Sequence, residues 1–215
     1  MLIANYNFAQ TGDVLMVVLH QDSIAQVSEK KDNVVRIYDE KTGETLGYNF
    51  FQASKRVSDL NGVSGQVKLT QKQVNDLNDL LNEAGFAPEL AVDDKPRFVV
   101  GYVEEMVSHP DSDHLHILKV LVNDGEHLQI VCGAPNIAEK QTVVVARVGA
   151  MMPSGAIIWP GKLRGKDSFG MVCSARELGL PNAPKKRGIL ELPAAEYEIG
   201  QAFDFKQAAG LFSAK

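Results

Sequence analysis

Three histidines (His109, His114, His116), the carboxylates Asp111 and Asp113 between them, and two cysteines (Cys132, Cys173) are the side chains that could bind a metal or move a proton. Their spacing argues against both. His114 and His116 could share a strand face, but neither a Cys-x-x-Cys nor a His-Glu-x-x-His pattern accompanies them, and the cysteines fall in separate apolar runs. The His109-Pro110-Asp111-Ser112-Asp113 segment reads more simply as a turn, in which proline fixes φ and Asp and Ser bond back to the main chain. No Gly-x-Ser-x-Gly elbow, phosphate-binding P-loop or dinucleotide fingerprint occurs. The expectation is no metal, no cofactor and no catalytic residue.

What remains is charge. Lys162, Arg164 and Lys166 alternate with Leu163 and Gly165. In an extended strand the three cations would project from one face, at roughly 6–7 Å intervals, with Leu163 pointing inward. Such a row matches phosphates along a nucleic-acid strand, and phosphate contacts give affinity without sequence information. A solvated strand edge, on which lysines discourage edge-to-edge pairing, accounts for the comb equally well when it is taken alone. Arg147, Arg176 and the Lys185-Lys186-Arg187 cluster tip the balance towards an anion-binding surface. Trp159 and Phe169 flank the comb and could stack on unpaired bases; Phe169, in an apolar Phe-Gly-Met-Val run, is expected in the core, and Trp159 stays open. Ser174 is expected to cap a helix, whose N-terminal amide groups would also accept a phosphate oxygen.

The whole chain has 215 residues and a net charge of -5, which taken alone speaks against a polyanionic partner. The distribution reverses this. Residues 1–95 carry 9 basic and 14 acidic side chains and residues 96–215 carry 13 of each, but between 140 and 187 the count is 9 basic against 2 acidic. A local excess of that size attracts anions whatever the total. Two cysteines make no disulfide framework, no basic leader precedes a hydrophobic run, and the longest apolar run, 14–19, cannot span a bilayer. A cytoplasmic protein is expected, with both cysteines as buried small hydrophobes and no membrane partner.

These residues need elements to hold them. Runs rich in β-branched and aromatic residues predict strands over 2–8, 14–19, 34–38 and 45–51. Thr70 to Gln73 has the form of a capping box, and Val74, Leu77, Leu80, Leu81 and Ala84 recur at helical spacing up to Gly85. Residues 1–88 therefore read as a small α+β domain. The acidic, proline-framed stretch 89–96 reads as a linker. Beyond it, strands are predicted over 98–103, 115–122, 128–132, 142–148, 157–162 and 189–192, spacing that suggests a closed or partly closed antiparallel barrel over 97–206, with a tail at 207–215. A short helix is predicted after Cys173, from the Ser174–Glu177 capping box to Gly179.

Several ordered motifs then carry a resemblance over about 100 residues: His109-Pro110 with Asp113 and Leu115, Val131-Cys132-Gly133-Ala134-Pro135-Asn136, Lys162-Leu163-Arg164-Gly165, Ser168-Phe169-Gly170-Met171, Cys173-Ser174, Glu177-Leu178-Gly179-Leu180 and Gly188-Ile189-Leu190-Glu191-Leu192. This part resembles the tRNA-binding OB-fold module of the bacterial phenylalanyl-tRNA synthetase β subunit, also found at the end of many methionyl-tRNA synthetases and in free-standing tRNA-binding proteins. The full layout resembles the YtpR-type family of Gram-positive bacteria, in which such a module follows a small domain of unknown role. The resemblance implies a five-stranded OB barrel that binds tRNA by shape and backbone charge. It does not imply aminoacylation, and no synthetase ATP-site signature is present. One departure stands out: His114 occupies the position where the family commonly has lysine, which replaces a permanent charge by one mostly absent at neutral pH.

The combined expectation is non-catalytic tRNA binding, with Lys162, Arg164 and Lys166 as phosphate contacts. Arg147, Arg176, Lys185, Lys186 and Arg187 would widen the field; Ser174 is a candidate polar contact, and so is Asn136, for which a structural role in its loop is equally plausible. DNA is not an expected partner. A protein-interaction or dimerisation module that keeps the barrel but has little RNA affinity is the competing reading, and a homodimer is left open because two-fold symmetry would double the basic surface.

Overall fold

Strand periodicity in the first third of the chain builds a single antiparallel sheet. The computed structural model describes residues 1–123 and 125–212. These divide into two compact units, Met1–Asp94 and Lys95–Lys215. In the first, strands β1 (Ile3–Asn7), β2 (Val14–Val18), β3 (Gln26–Lys31), β4 (Val34–Asp39), β5 (Thr45–Phe51) and β6 (Ser64–Val67) form a six-stranded sheet in the order β3-β4-β5-β2-β1-β6. A single turn of helix, α1 (Phe8–Thr11), separates β1 from β2. Strands β3 and β6 escape a reading by hydrophobicity because they are edges rich in Ser, Gln, Lys and Gly; pairing with a neighbour, not composition, makes them strands.

Helix α2 (Gln71–Glu83) closes this unit. Its capping box forms as the sequence requires: the Thr70 hydroxyl accepts from the Gln73 amide, and the Gln73 side chain accepts from the Thr70 amide. Val74, Leu77 and Leu81 are fully buried and join Leu15, Val17, Tyr48 and Phe50 from the sheet in one core. Each such side chain contributes about 1.5–3 kcal/mol on burial. The segment read as a linker begins inside this unit: Leu90 is buried in the same core, and Asn78 bonds both its amide and its carbonyl.

The second unit is a nearly closed barrel. Strands β7 (Phe98–Ser108), β8 (His116–Asn123), β9 (Glu126–Cys132), β10 (Thr142–Arg147) and β13 (Gly170–Val172) lie in the order β13-β10-β7-β8-β9, and a separate hairpin consists of β11 (Gly161–Leu163) and β12 (Lys166–Ser168). The eleven-residue β7 serves two partners, with β10 along its first half and β8 along its second, and a bulge at Val103/Glu105 bends it between them. Gly101 sits at this bend because a Cβ there would lie 2.7 Å from Val145 Cγ2 and 2.9 Å from Val120 Cγ1. The seam is stitched where the Phe169 amide donates to the Gln129 carbonyl and the Val131 amide donates to Ser168 Oγ. Val99, Val103, Leu118, Val120, Ile130 and Val145 are among the side chains that fill the interior. This is the OB-type barrel that the strand pattern and the resemblance imply, behind an α+β unit.

Three expected elements differ. The strand predicted over 157–162 supplies only a bridge from Ile157 to Met151 and the first residues of β11; the fifth barrel strand is the three-residue β13. The stretch 189–192 contributes one bridge, Glu191 to Val143, because the edge it approaches is largely occupied by β13. The helix predicted after Cys173 is a single turn: the Leu178 amide reaches the Ser174 carbonyl, and Gly179 ends the run at once. Four residues between the cap and the glycine leave no room for a second turn. Residues 207–212 are not a free tail either. A second short helix of the chain's end, α3 (Phe205–Ala208), buries Ala208 completely, and Phe205 packs edge-on against Phe98 and Phe203. The last three residues of the tail, 213–215, lie outside the described residues.

Candidate nucleic-acid interface

The comb folds back on itself. Leu163 pairs with Lys166 and Lys162 with Asp167, so Arg164 and Gly165 are the two central residues of a tight hairpin turn, both with positive φ (45° and 82°). That is the backbone a two-residue hairpin demands, and Gly165 adopts it freely. Cross-strand partners share a face, so Lys166 projects on the side of Leu163 and Lys162 on the side of Asp167, whose carboxylate lies 3.4 Å from it. The expectation of an extended row with three cations on one face and Leu163 inward is thereby corrected: Leu163 is 39% exposed.

His109 fixes this hairpin. The residue is 3% exposed; its Nδ1 accepts from the Asp111 amide at 3.1 Å, so Nε2 carries the hydrogen and donates to the Leu163 carbonyl at 3.2 Å. Arg164 adds a second tether, donating from Nη1 to the Asp111 carbonyl at 2.6 Å. The turn read in His109 to Asp113 therefore exists, with Ser112 Oγ accepting from the His114 amide. Its histidine is a strut for the basic hairpin, a role that sequence spacing does not reveal because the partner is 54 residues away.

A second basic loop, residues 181–188, is anchored by Asn136. Its side chain donates from Nδ2 to the Ile189 carbonyl at 3.1 Å and accepts at Oδ1 from the Ile189 amide at 2.8 Å. Gly188 passes so close that a Cβ would stand 2.5 Å from Asn136 Oδ1. Of the two roles open to Asn136, the structural one is realised: its amide group is committed to the backbone. Ser174 is committed as well, since it exchanges bonds with Glu177: the Ser174 amide donates to the carboxylate at 2.7 Å, and Ser174 Oγ accepts from the Glu177 amide at 3.2 Å.

Between the hairpin and this loop lies a pocket of about 430 Å³. Arg176, Lys186 and Arg187 line it, together with Leu163 from the hairpin, and Glu177 is the one carboxylate among the lining residues. A neighbouring pocket of about 260 Å³ shares Arg176, Lys186 and Arg187 and adds Asn136. Arg176 Nη1 donates to the Lys185 carbonyl at 3.4 Å, which ties the single turn to the loop. Of the predicted cations, Arg176, Lys186 and Arg187 line this concavity; Lys185 adjoins them, Lys166 shares a hairpin face with the lining residue Leu163, Lys162 is on the opposite face with Asp167, and Arg164 is tied to Asp111.

Arg147 does not join them. It lies opposite Gly170 at the end of β13 remote from Ser174, and its guanidinium is 2.6 Å from Glu126. Phe169 departs from expectation in the other direction, being 43% exposed beside the hairpin instead of buried. Trp159 is half-buried. Both cysteines are buried and free, and burial raises the Cys132 thiol pKa and pushes that of Cys173 up to about 12. Among the described residues no cluster of three or more His, Cys, Asp or Glu is placed to hold a metal ion. No described helix is long and apolar enough to cross a membrane.

Comparisons with known proteins follow the same two units. Residues 98–202 match a family described as "Putative tRNA binding domain", and residues 21–93 match "Domain of unknown function (DUF4479)". The "Phenylalanine--tRNA ligase beta subunit" of Staphylococcus saprophyticus is 43% identical over 114 residues, 52% of this chain but 14% of that subunit. A solved structure, "Crystal Structure of C-terminal Domain of Plasmodium vivax p43", aligns with 51% of this chain and 61% of its own, at 27% identity and a TM-score of 0.36. The "Putative tRNA-binding protein YtpR" of Bacillus subtilis (strain 168) is 48% identical over 204 residues, 94% of this chain and 99% of that protein. Likeness that runs through both units at this level places the chain in a family: it belongs to the YtpR family.

Proposed function

We propose that this protein binds tRNA without catalysing a reaction, through phosphate contacts made by Arg176, Lys186 and Arg187 in the pocket and, around it, by Lys185 and by Lys162, Arg164 and Lys166 of the hairpin that borders it. The observation that carries this reading is the convergence of two separately anchored basic segments on one concavity of an OB barrel. Phosphate oxygens are met there by guanidinium and ammonium groups, and the opposing carboxylate, Glu177, is held by the Ser174 amide. Contacts of this kind fix position and supply affinity with little regard to sequence. Arg147, paired with Glu126, is assigned no contact. The family names support the same ligand, and the cytoplasm is the compartment in which tRNA would be met.

Titration of labelled tRNA at several salt concentrations tests the proposal. Log affinity should fall by ~0.7–0.9 per log unit of salt for each phosphate neutralised. A variant with Lys162→Ala, Arg164→Ala and Lys166→Ala should bind more weakly with a shallower slope. Equal, salt-insensitive binding by both proteins would overturn the assignment.

A further inference from the structure

We propose that the pocket between the basic hairpin and the 181–188 loop receives one unpaired nucleotide of the bound RNA, its base on the apolar floor and its phosphates on the cationic rim. The inference rests on the tRNA reading above and adds the conformation in which the RNA is recognised. Phosphate attraction by itself requires only a convex or flat basic surface. Here Arg176, Lys186 and Arg187 line a hollow whose other lining side chains include the apolar Val131, Cys132, Ala134, Met171, Val172 and Ile189, which form its floor. At about 430 Å³ the hollow falls within the roughly 300–1,000 Å³ of ordinary small-ligand sites.

A base-paired RNA could satisfy the rim but not the floor. In an A-form helix the bases are stacked inside, and side chains reach only the backbone and a shallow minor groove. An unpaired nucleotide satisfies both, because its base can leave the stack while its phosphates stay on the outside. Arg176 and Arg187 suit this arrangement better than lysines would. A guanidinium is planar, stacks on a base and still attracts the adjacent phosphates. Arg176 is already oriented by its bond to the Lys185 carbonyl. Leu163, exposed at the hairpin edge of the hollow, supplies an apolar side wall.

The test uses the full-length protein and three RNA probes with equal numbers of phosphates: a blunt duplex, a duplex with a four-nucleotide 3′ overhang, and a hairpin with an unpaired loop. At least one probe bearing unpaired nucleotides should bind about tenfold or more tighter than the blunt duplex. That ratio should change little with salt, since it comes from stacking and burial. An Arg176→Lys/Arg187→Lys variant keeps the charge but loses the planar groups, and it should lose the preference. Equal affinity for all three probes, or a preference that survives in the variant, would overturn the pocket assignment. Salt-steep binding of tRNA with no preference would leave the tRNA reading intact and sink only this inference; absence of salt-steep binding to any RNA would remove both.

Discussion

Replacing Asn136 by alanine removes the anchor of the second basic loop without touching a cation. Its side chain makes two hydrogen bonds to Ile189, at 2.8 Å and 3.1 Å, and Ile189 is buried. Each such bond is worth about 0.5–1.5 kcal/mol net, and a backbone group left unpaired away from water costs about 1–3 kcal/mol. Asn136 itself lies at the surface, so water can replace part of the loss, and about 2 kcal/mol is the expected destabilisation. Asn136→Asp keeps the acceptor for the Ile189 amide but sets a carboxylate oxygen against the Ile189 carbonyl, so it should recover less than half of the loss. The chain's single tryptophan, Trp159, belongs to the barrel unit and reports its unfolding. With a urea slope of about 2 kcal/mol/M, the alanine variant should shift the midpoint down by roughly 1 M. Its tRNA affinity in native buffer should also fall, because Lys185, Lys186 and Arg187 are then held less firmly. A midpoint shift below about 0.2 M would refute the reasoning, since it would mean that the 181–188 loop is fixed by something other than this amide.

Two further perturbations test other links. His109→Ala removes one tether of the basic hairpin and should weaken tRNA binding about fivefold, the worth of one hydrogen bond of about 1 kcal/mol, whereas His109→Gln, which can still donate to the Leu163 carbonyl, should recover part of it; an unchanged Kd for the alanine variant would show that the ring does not place the hairpin. In the first unit, burial and then the hydrogen bond it donates to the Glu89 carboxylate push the Tyr48 pKa up to about 12, against about 10 when unfolded. From about pH 10 the unfolded chain therefore sheds a proton that the folded one keeps, so the stability gained from neutral Tyr48 is complete below pH 10 and is lost as the pH rises to about 12. Unfolding of Met1–Asp94 followed by circular dichroism should show this alkaline loss, and Tyr48→Phe should flatten it.

Periodicity and capping made much of the architecture legible. Helix α2 follows from the Thr70–Gln73 box and the Val74, Leu77 and Leu81 stripe, because both signals are local and complete within about three turns of helix. Strands β8, β9 and β10 and the first half of β7 follow from apolar, β-branched runs bounded by turn residues, whereas the half of β7 beyond Val103, which pairs with β8, is too polar to be read that way. Strands β3, β6 and β13 were hidden because each is short or polar, and only a hydrogen-bonding neighbour defines it. The one-turn segment after Cys173 shows the converse: a correct capping signal at Ser174 and Glu177 says where a helix starts, not whether the chain continues it.

The residues of the candidate interface divide along a similar line. Residue types and spacing by themselves identified the excess of cations between 140 and 187 and the strand pattern of a barrel, while the motif series pointed to tRNA only through its resemblance to a known family. Tertiary structure decided which cations meet. Lys162, Arg164 and Lys166 share a hairpin instead of a strand face because Arg164 and Gly165 turn the chain back within two residues. Arg147 is lost to Glu126 from another strand, and Asn136 and His109 serve as struts for segments more than fifty positions away. A side chain's type is fixed where it stands in the sequence, but its partner is whatever folding brings close: a hydrogen bond needs about 3 Å, and the attraction of an ion pair weakens with distance and with screening by salt.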